Sequence, residues 1–149
     1  MVDVLSRKPS ILAVLPATED RISLKSILRS SDWNVRFARP SRRIRVALDL
    51  GTVGVVLTDA RLADGRTWKD VLQEIERTPN PPLLIVTDRL ADEALWAEVL
   101  NLGGYDVLAK PFDEKEVLHA MTMACGARRK LAASFDPHTV THNVRWSVA

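Results

Sequence analysis

The sequence predicts an α/β fold, a doubly wound sheet of five parallel strands in the order 2-1-3-4-5 with helices on both faces. Short apolar runs alternate along the chain with stretches of helical period, which is the pattern of βαβ units. Four runs, 11–15, 53–57, 83–86 and 107–109, are apolar throughout, as interior strands are. Residues 34–38 instead alternate polar and apolar side chains. This second strand is therefore expected at an edge.

The stretches between the strands carry apolar residues at helical spacing. Thr18 is expected to cap the first helix, and Gly103 and Gly104 are expected to close the fourth. The residues that mark the helices are Leu24, Ile27 and Leu28 in the first, Ile44, Ala47 and Leu48 in a polar second helix across 41–50, Trp68, Val71, Leu72 and Ile75 in the third, Leu95, Val99 and Leu102 in the fourth, and Val117, Met121, Ala124 and Cys125 in the fifth.

The length and composition fit one compact domain. The chain has 149 residues, of which 46% are hydrophobic and 27% are charged. We expect this domain to cover residues 9–127 and to be followed by a C-terminal tail, 128–149. The tail includes a strand-like stretch, 139–148, that is expected either to pack on the domain, to join the sheet edge of a partner, or to remain without fixed structure.

Charge and cysteine content make several classes of protein less favoured. Twenty-one basic and nineteen acidic residues leave a net charge of +2, which makes nucleic acid and anionic membranes unfavoured partners. Five arginines between Arg36 and Arg45 keep a nucleic-acid binder open as the least favoured alternative. The single cysteine, Cys125, cannot form an intramolecular disulfide, and no run approaches about twenty apolar residues. A cytoplasmic protein is expected.

Three polar residues end three of the apolar runs, namely Asp59, Thr87 and Lys110. In doubly wound sheets, ligands bind at the carboxyl ends of the strands, near the switch point between strands 1 and 3. A carboxylate there can accept a phosphoryl group if the negative charge of that group is neutralised. Thr87 offers a hydroxyl donor and Lys110 offers an ammonium. The sequence therefore predicts a phosphoacceptor pocket.

Four motifs are specific when they occur together: Ile11-Leu-Ala-Val14, Val55-Val-Leu-Thr-Asp-Ala-Arg-Leu-Ala-Asp-Gly65, Pro82-Leu-Leu-Ile-Val-Thr87 and Leu102-Gly-Gly-Tyr-Asp-Val-Leu-Ala-Lys-Pro-Phe112. With these motifs the chain resembles, over roughly residues 9–127, the receiver domain of bacterial two-component response regulators.

The resemblance implies a flavodoxin-like, three-layer fold and assigns a role to each polar strand end. Asp59 would be the phosphoacceptor, Thr87 the signal-transducing hydroxyl and Lys110 the phosphate-binding lysine. It also implies a histidine kinase or phosphotransfer protein as donor, a downstream target, and a possible homodimer, since receivers commonly dimerise through the face of the fourth and fifth strands and helices.

The chain departs from the family pattern at its metal site. In the family, an acidic pair after the first strand holds Mg²⁺ together with the acceptor Asp and a backbone carbonyl, here that of Arg61. Leu15 and Pro16 occupy the acidic positions. Asp59 and one carbonyl are a poor remnant of the octahedral oxygen cage that Mg²⁺ requires. No cofactor is expected, and Mg²⁺ binding is expected to be weak or absent.

Two further features bear on the switch. Glu19 and Asp20 fall in the first turn of helix 1, where either could reach the pocket or could simply complement the helix dipole. Receivers often couple the hydroxyl residue to an aromatic three positions before the lysine. That position is Val107, and Tyr105 stands two places earlier.

The favoured interpretation is an atypical receiver domain, not an enzyme, that acts as a phosphorylation-independent or weakly phosphorylated protein-interaction module. The alternative is an ordinary Mg²⁺-dependent phosphoacceptor, in which a histidine kinase phosphorylates Asp59 and Glu19 or Asp20 helps to hold the metal.

Overall fold

The computed structural model describes residues 10–38, 43–50 and 52–134. They form one five-stranded parallel sheet of order β2-β1-β3-β4-β5, which confirms the predicted fold class. The elements are β1 (Ser10–Val14), α1 (Thr18–Leu28), β2 (Asn34–Phe37), α2 (Ile44–Asp49), β3 (Val53–Asp59), α3 (Trp68–Glu76), β4 (Leu83–Asp88), α4 (Glu93–Leu102), β5 (Asp106–Ala109) and α5 (Glu114–Ser134).

The sheet separates two apolar cores because successive strand residues point to opposite faces. The predicted edge position of β2 is confirmed, and its side chains are only partly buried. One core, which packs against α2, α3 and α4, contains Leu12, Val14, Val56, Leu84 and Val86 of the strands, and the other, which packs against α1 and α5, contains Ile11, Ala13, Val55, Leu57 and Ile85.

The predicted cap of α1 is wrong, whereas the predicted end of α4 is correct. Ala17 occupies the N-cap position and has no side-chain cap, while Thr18 is the first helical residue. The Thr18 hydroxyl instead accepts a hydrogen bond from Nη2 of Arg21 at 2.8 Å. At the end of α4, Gly103 has φ 114, a left-handed conformation that favours glycine.

The arginines at both ends of the arginine-rich stretch form hydrogen bonds within the domain. Arg45 fastens α2 to α3, since Nη1 lies 3.0 Å from the carbonyl oxygen of Glu74 and Nη2 lies 2.8 Å from Oγ1 of Thr78. Arg36 donates to Oγ1 of Thr52 at 3.1 Å. These guanidinium groups therefore serve the packing of the domain, which weakens the argument for a nucleic-acid surface.

Helix α5 continues past residue 127, where the domain was expected to end, to Ser134. The rest of the expected tail, with its strand-like stretch 139–148, lies outside the described residues, as do Arg39 and Arg42. Within the part of the chain that the structure describes, no helix is long and apolar enough to cross a membrane.

Gly104 follows α4 at a point where the backbone passes close to Val99. A Cβ at Gly104 would meet the Val99 side chain and would lie 3.1 Å from its carbonyl oxygen, whereas a Cβ at Gly126 of α5 would meet nothing within 4 Å. We predict that Gly104→Ala lowers the free energy of unfolding by about 1–3 kcal/mol through overpacking. Gly126→Ala should raise it by about 0.5–1 kcal/mol, because alanine favours a helix. Urea unfolding measures both. A Gly104→Ala protein as stable as wild type would contradict the close approach.

Candidate functional site

Three polar residues meet at the carboxyl end of the sheet. Asp59 is the last residue of β3, Thr87 lies near the end of β4, and Lys110 directly follows β5. Asp59 and Thr87 are register partners on adjacent strands. Since β3 lies between β1 and β4, the Asp59 carboxylate stands in the middle of this edge.

A hydrogen-bond network joins these side chains to a fourth residue, Asp20. Oδ1 of Asp59 accepts a hydrogen bond from Oγ1 of Thr87 at 2.9 Å and lies 2.8 Å from Nζ of Lys110. The same ammonium donates to Oδ2 of Asp20 at 2.9 Å. The side chains of Lys110, Asp20 and Asp59 are only 8%, 9% and 15% exposed. One largely buried ammonium is therefore shared by two carboxylates.

The surroundings of Lys110 keep it charged. Burial by itself lowers the pKa of an ammonium, because it penalises the charged form. The hydrogen bonds to Asp20 and Asp59, together with the negative charges of these groups, outweigh that effect and raise the pKa of Lys110 above its ordinary value. Lys110 is therefore a cation throughout the neutral pH range.

The first turn of α1 supplies the second carboxylate, and it does so through Asp20 and not Glu19. The Glu19 side chain is 75% exposed and lies 3.5 Å from Nη2 of Arg89. Asp20 instead points into the pocket and is buried. Sequence reasoning left these two residues as alternatives because both lie in the first helical turn.

The loop between β1 and α1 brings apolar side chains to the positions where the sequence lacks its acids. The side chain of Leu15 is 1% exposed and belongs to the core against α1 and α5. Nη1 of Arg21 donates to the carbonyl oxygens of Leu15, at 2.6 Å, and of Pro16, at 2.8 Å. Sequence reasoning missed Arg21, because its spacing of three from Thr18 is common to any helical turn.

The pocket offers a divalent metal two carboxylates that are both already paired with an ammonium. The two carboxylates present, those of Asp20 and Asp59, both contact the Lys110 ammonium. The described residues contain no group of three or more His, Cys, Asp or Glu side chains that could hold a metal ion. Arg61, whose carbonyl is the remaining candidate ligand, is exposed and forms an isolated bridge with Thr67. Mg²⁺ keeps several waters and is commonly held by one or two carboxylates, so the feature that opposes a metal here is the pairing of both carboxylates with Lys110.

The residues near the expected switch lie on opposite faces of the sheet. Val107 packs against the core that contacts α2, α3 and α4, whereas Tyr105 packs against the other core. The backbone N–H of Tyr105 donates to the carbonyl of Leu84 at 2.7 Å. Burial raises the pKa of the Tyr105 hydroxyl, and the nearby charge of Asp106 raises it further.

Known structures share this fold. The signal receiver domain of an HD domain-containing protein from Pseudomonas fluorescens Pf-5 aligns with a TM-score of 0.77 at 24% identity, covering 90% of this chain and 98% of that one. The receiver domain of a sensor histidine kinase from Pseudomonas aeruginosa PAO1, solved with a magnesium ion in its active-site cleft, aligns with a TM-score of 0.69 at 22% identity, covering 79% and 98%.

A third structure, a beryllofluoride-activated NtrC4 receiver domain dimer, aligns with a TM-score of 0.71 at 21% identity, covering 80% of this chain and 98% of that one. No match was found among curated protein sequences. The family model described as the response regulator receiver domain matches residues 17–122, which is more than half of the chain. The protein therefore belongs to the response regulator receiver domain family of two-component signalling.

Proposed function

We propose that this receiver is a phosphorylation-independent or weakly phosphorylated protein-interaction module. The observation that supports the proposal is the sharing of Lys110 by Asp20 and Asp59, at 2.9 and 2.8 Å. The ammonium neutralises part of the negative charge of the pocket from within the chain. The network is complete without an added ligand, so the domain can keep one conformation in the absence of phosphate.

Phosphorylation of Asp59 in such a pocket is expected to be slow. With acetyl phosphate as donor, an oxygen of the Asp59 carboxylate would form the new bond to phosphorus, the bond from phosphorus to the acetyl oxygen would break, and acetate would leave as an anion. The phosphoryl oxygens need positive charge in the transition state. If a metal contributes about 4 kcal/mol to that neutralisation, its loss slows the transfer on the order of a thousandfold.

The proposed partners are proteins. A histidine kinase or phosphotransfer protein and a downstream target follow from membership of the family, and a homodimer is compatible with the exposed apolar side chains of Trp96 and Leu102 on α4. We place the protein in the cytoplasm and assign it a signalling and not an enzymatic role.

A second candidate function is that of an ordinary phosphoacceptor, in which Asp59 is phosphorylated by a histidine kinase. The position of Asp20 favours it, because this carboxylate lies in the pocket beside Lys110. In that case Asp20 and Asp59 are the side chains that would hold Mg²⁺. The two candidates differ in their response to metal.

We predict that millimolar Mg²⁺ barely binds the wild-type protein, because the two available carboxylates are already paired with an ammonium. Isothermal titration calorimetry measures the affinity directly. Pro16→Asp adds a carboxylate at the end of β1 and should strengthen binding at least tenfold, on the order of the effect of one added anionic ligand. Submillimolar affinity in the wild type would favour the ordinary phosphoacceptor.

We further predict that restoring acids at the end of β1 restores phosphorylation. Pro16→Asp, and the double variant Leu15→Asp with Pro16→Asp, should label with acetyl phosphate and Mg²⁺ on the order of a hundred- to a thousandfold faster than wild type. The double variant will be less stable, since Leu15 is buried in the core. Thermal unfolding checks that each variant is folded before labelling.

The matched control adds Asp59→Asn, which should abolish the gain because an amide is not a nucleophile in this reaction. Phosphorylation is followed by intact-protein mass spectrometry. A wild-type protein that labels at Asp59 as fast as the acid-restored variants would contradict the proposed interaction module.

A further inference from the structure

Two neighbouring acids in the first turn of α1 each lie close to a basic side chain that follows one of the last two strands, β4 or β5. Glu19 lies 3.5 Å from Arg89, which follows β4, and both side chains are exposed. Asp20 lies 2.9 Å from Lys110, which follows β5, and both side chains are largely buried. The exposed pair is of the kind that contributes little, whereas the buried pair cannot lose a partner without cost.

The strand order fixes what these contacts pass over. Asp20 follows β1 and Lys110 follows β5, and the sheet places β3 and β4 between these two strands. A direct contact between Asp20 and Lys110 therefore spans the carboxyl ends of β3 and β4, where Asp59 and Thr87 lie. The same ammonium contacts Asp59 on the way, at 2.8 Å.

Asp20 differs from an ordinary acid at a helix N-terminus in its burial and in its partner. An acid in the first turn stabilises a helix through its dipole and does so while exposed to solvent, as Glu19 does. The Asp20 side chain is instead only 9% exposed, and its carboxylate accepts a hydrogen bond from Lys110. Its carboxylate is therefore part of the polar network at the carboxyl end of the sheet.

We propose that Asp20 is a positioning residue that restrains Lys110 and thereby acts as a built-in brake on phosphorylation of Asp59. The proposal rests on the proposed function and adds to it the residue that keeps the site silent. The brake has two parts. Asp20 occupies a donor of the ammonium that a phosphoryl group would need, and its own negative charge opposes the charge that the phosphoryl group brings.

The physical basis is the charge of the pocket. Asp20, Asp59 and Lys110 together carry one net negative charge when all are ionised. A phosphoryl group adds further negative charge, and like charges repel strongly in a partly buried site. The ammonium has three donors, of which one contacts Asp20 and one contacts Asp59, so removal of Asp20 frees a further donor for the phosphoryl oxygens.

The restraint itself is tested by the reactivity of the Lys110 amine. Wild type, Asp20→Asn and Glu19→Gln are treated with a water-soluble acetylating reagent, and the acetylation of Lys110 is followed by peptide mass spectrometry. We expect Lys110 to react about tenfold faster in Asp20→Asn, because it has lost one of two charged partners, and within about twofold of wild type in Glu19→Gln. Unchanged reactivity in Asp20→Asn would overturn the proposal.

The brake is tested by labelling with acetyl phosphate in the absence of divalent metal. Asp20→Asn should label at Asp59 about tenfold faster than wild type, the order expected for removal of one nearby like charge, and Glu19→Gln should label as wild type does. Asp20→Asn combined with Asp59→Asn should not label. Slower or unchanged labelling of Asp20→Asn would overturn the brake.

The two tests separate this proposal from the proposed function. Amine reactivity does not require that Asp59 be phosphorylated, whereas the interaction module fails if wild type labels as fast as Pro16→Asp. Asp20→Ser serves as the second variant if Asp20→Asn does not fold, with the same expected direction in both measurements. An equal response of the Asp20 and Glu19 variants would also contradict a specific role for Asp20.

Discussion

The site depends on the two ion pairs of the Lys110 ammonium. Lys110 follows β5, contacts Asp59 at the end of β3 and contacts Asp20 in α1, so it ties together three elements that are distant along the sequence. A buried charge of this kind is stable only while its partners remain. Asp20 and Asp59 raise the pKa of Lys110 despite its burial, which keeps the ion pairs intact at neutral pH.

The loop after β1 is stabilised by contacts other than those of Lys110. Leu15 contributes to the core and the carbonyl groups of Leu15 and Pro16 bind Arg21, so this loop is stabilised by packing and by a guanidinium. The second carboxylate of the pocket comes from Asp20, in the first turn of α1. We infer that the Lys110 ammonium, held between Asp20 and Asp59, supplies the positive charge of this pocket.

The fold and part of the site could be predicted from the sequence because both follow from short-range patterns. Apolar runs define the strands, and the strand order places Asp59, Thr87 and Lys110 at one edge. The choice between Glu19 and Asp20 depends on the orientation of α1 over the sheet, which local pattern does not encode. The predicted cap at Thr18 is wrong because the helix begins at this residue, and its hydroxyl bonds to Arg21.

We propose that Lys110 takes the place of a bound cation between Asp20 and Asp59. A crystal structure determined from crystals grown in a high concentration of a magnesium salt tests it most directly. We expect Nζ of Lys110 to remain within hydrogen-bonding distance of both carboxylates, with no octahedrally coordinated ion between them. An Mg²⁺ ion ligated by Asp20 and Asp59, with the Lys110 side chain displaced, would contradict it.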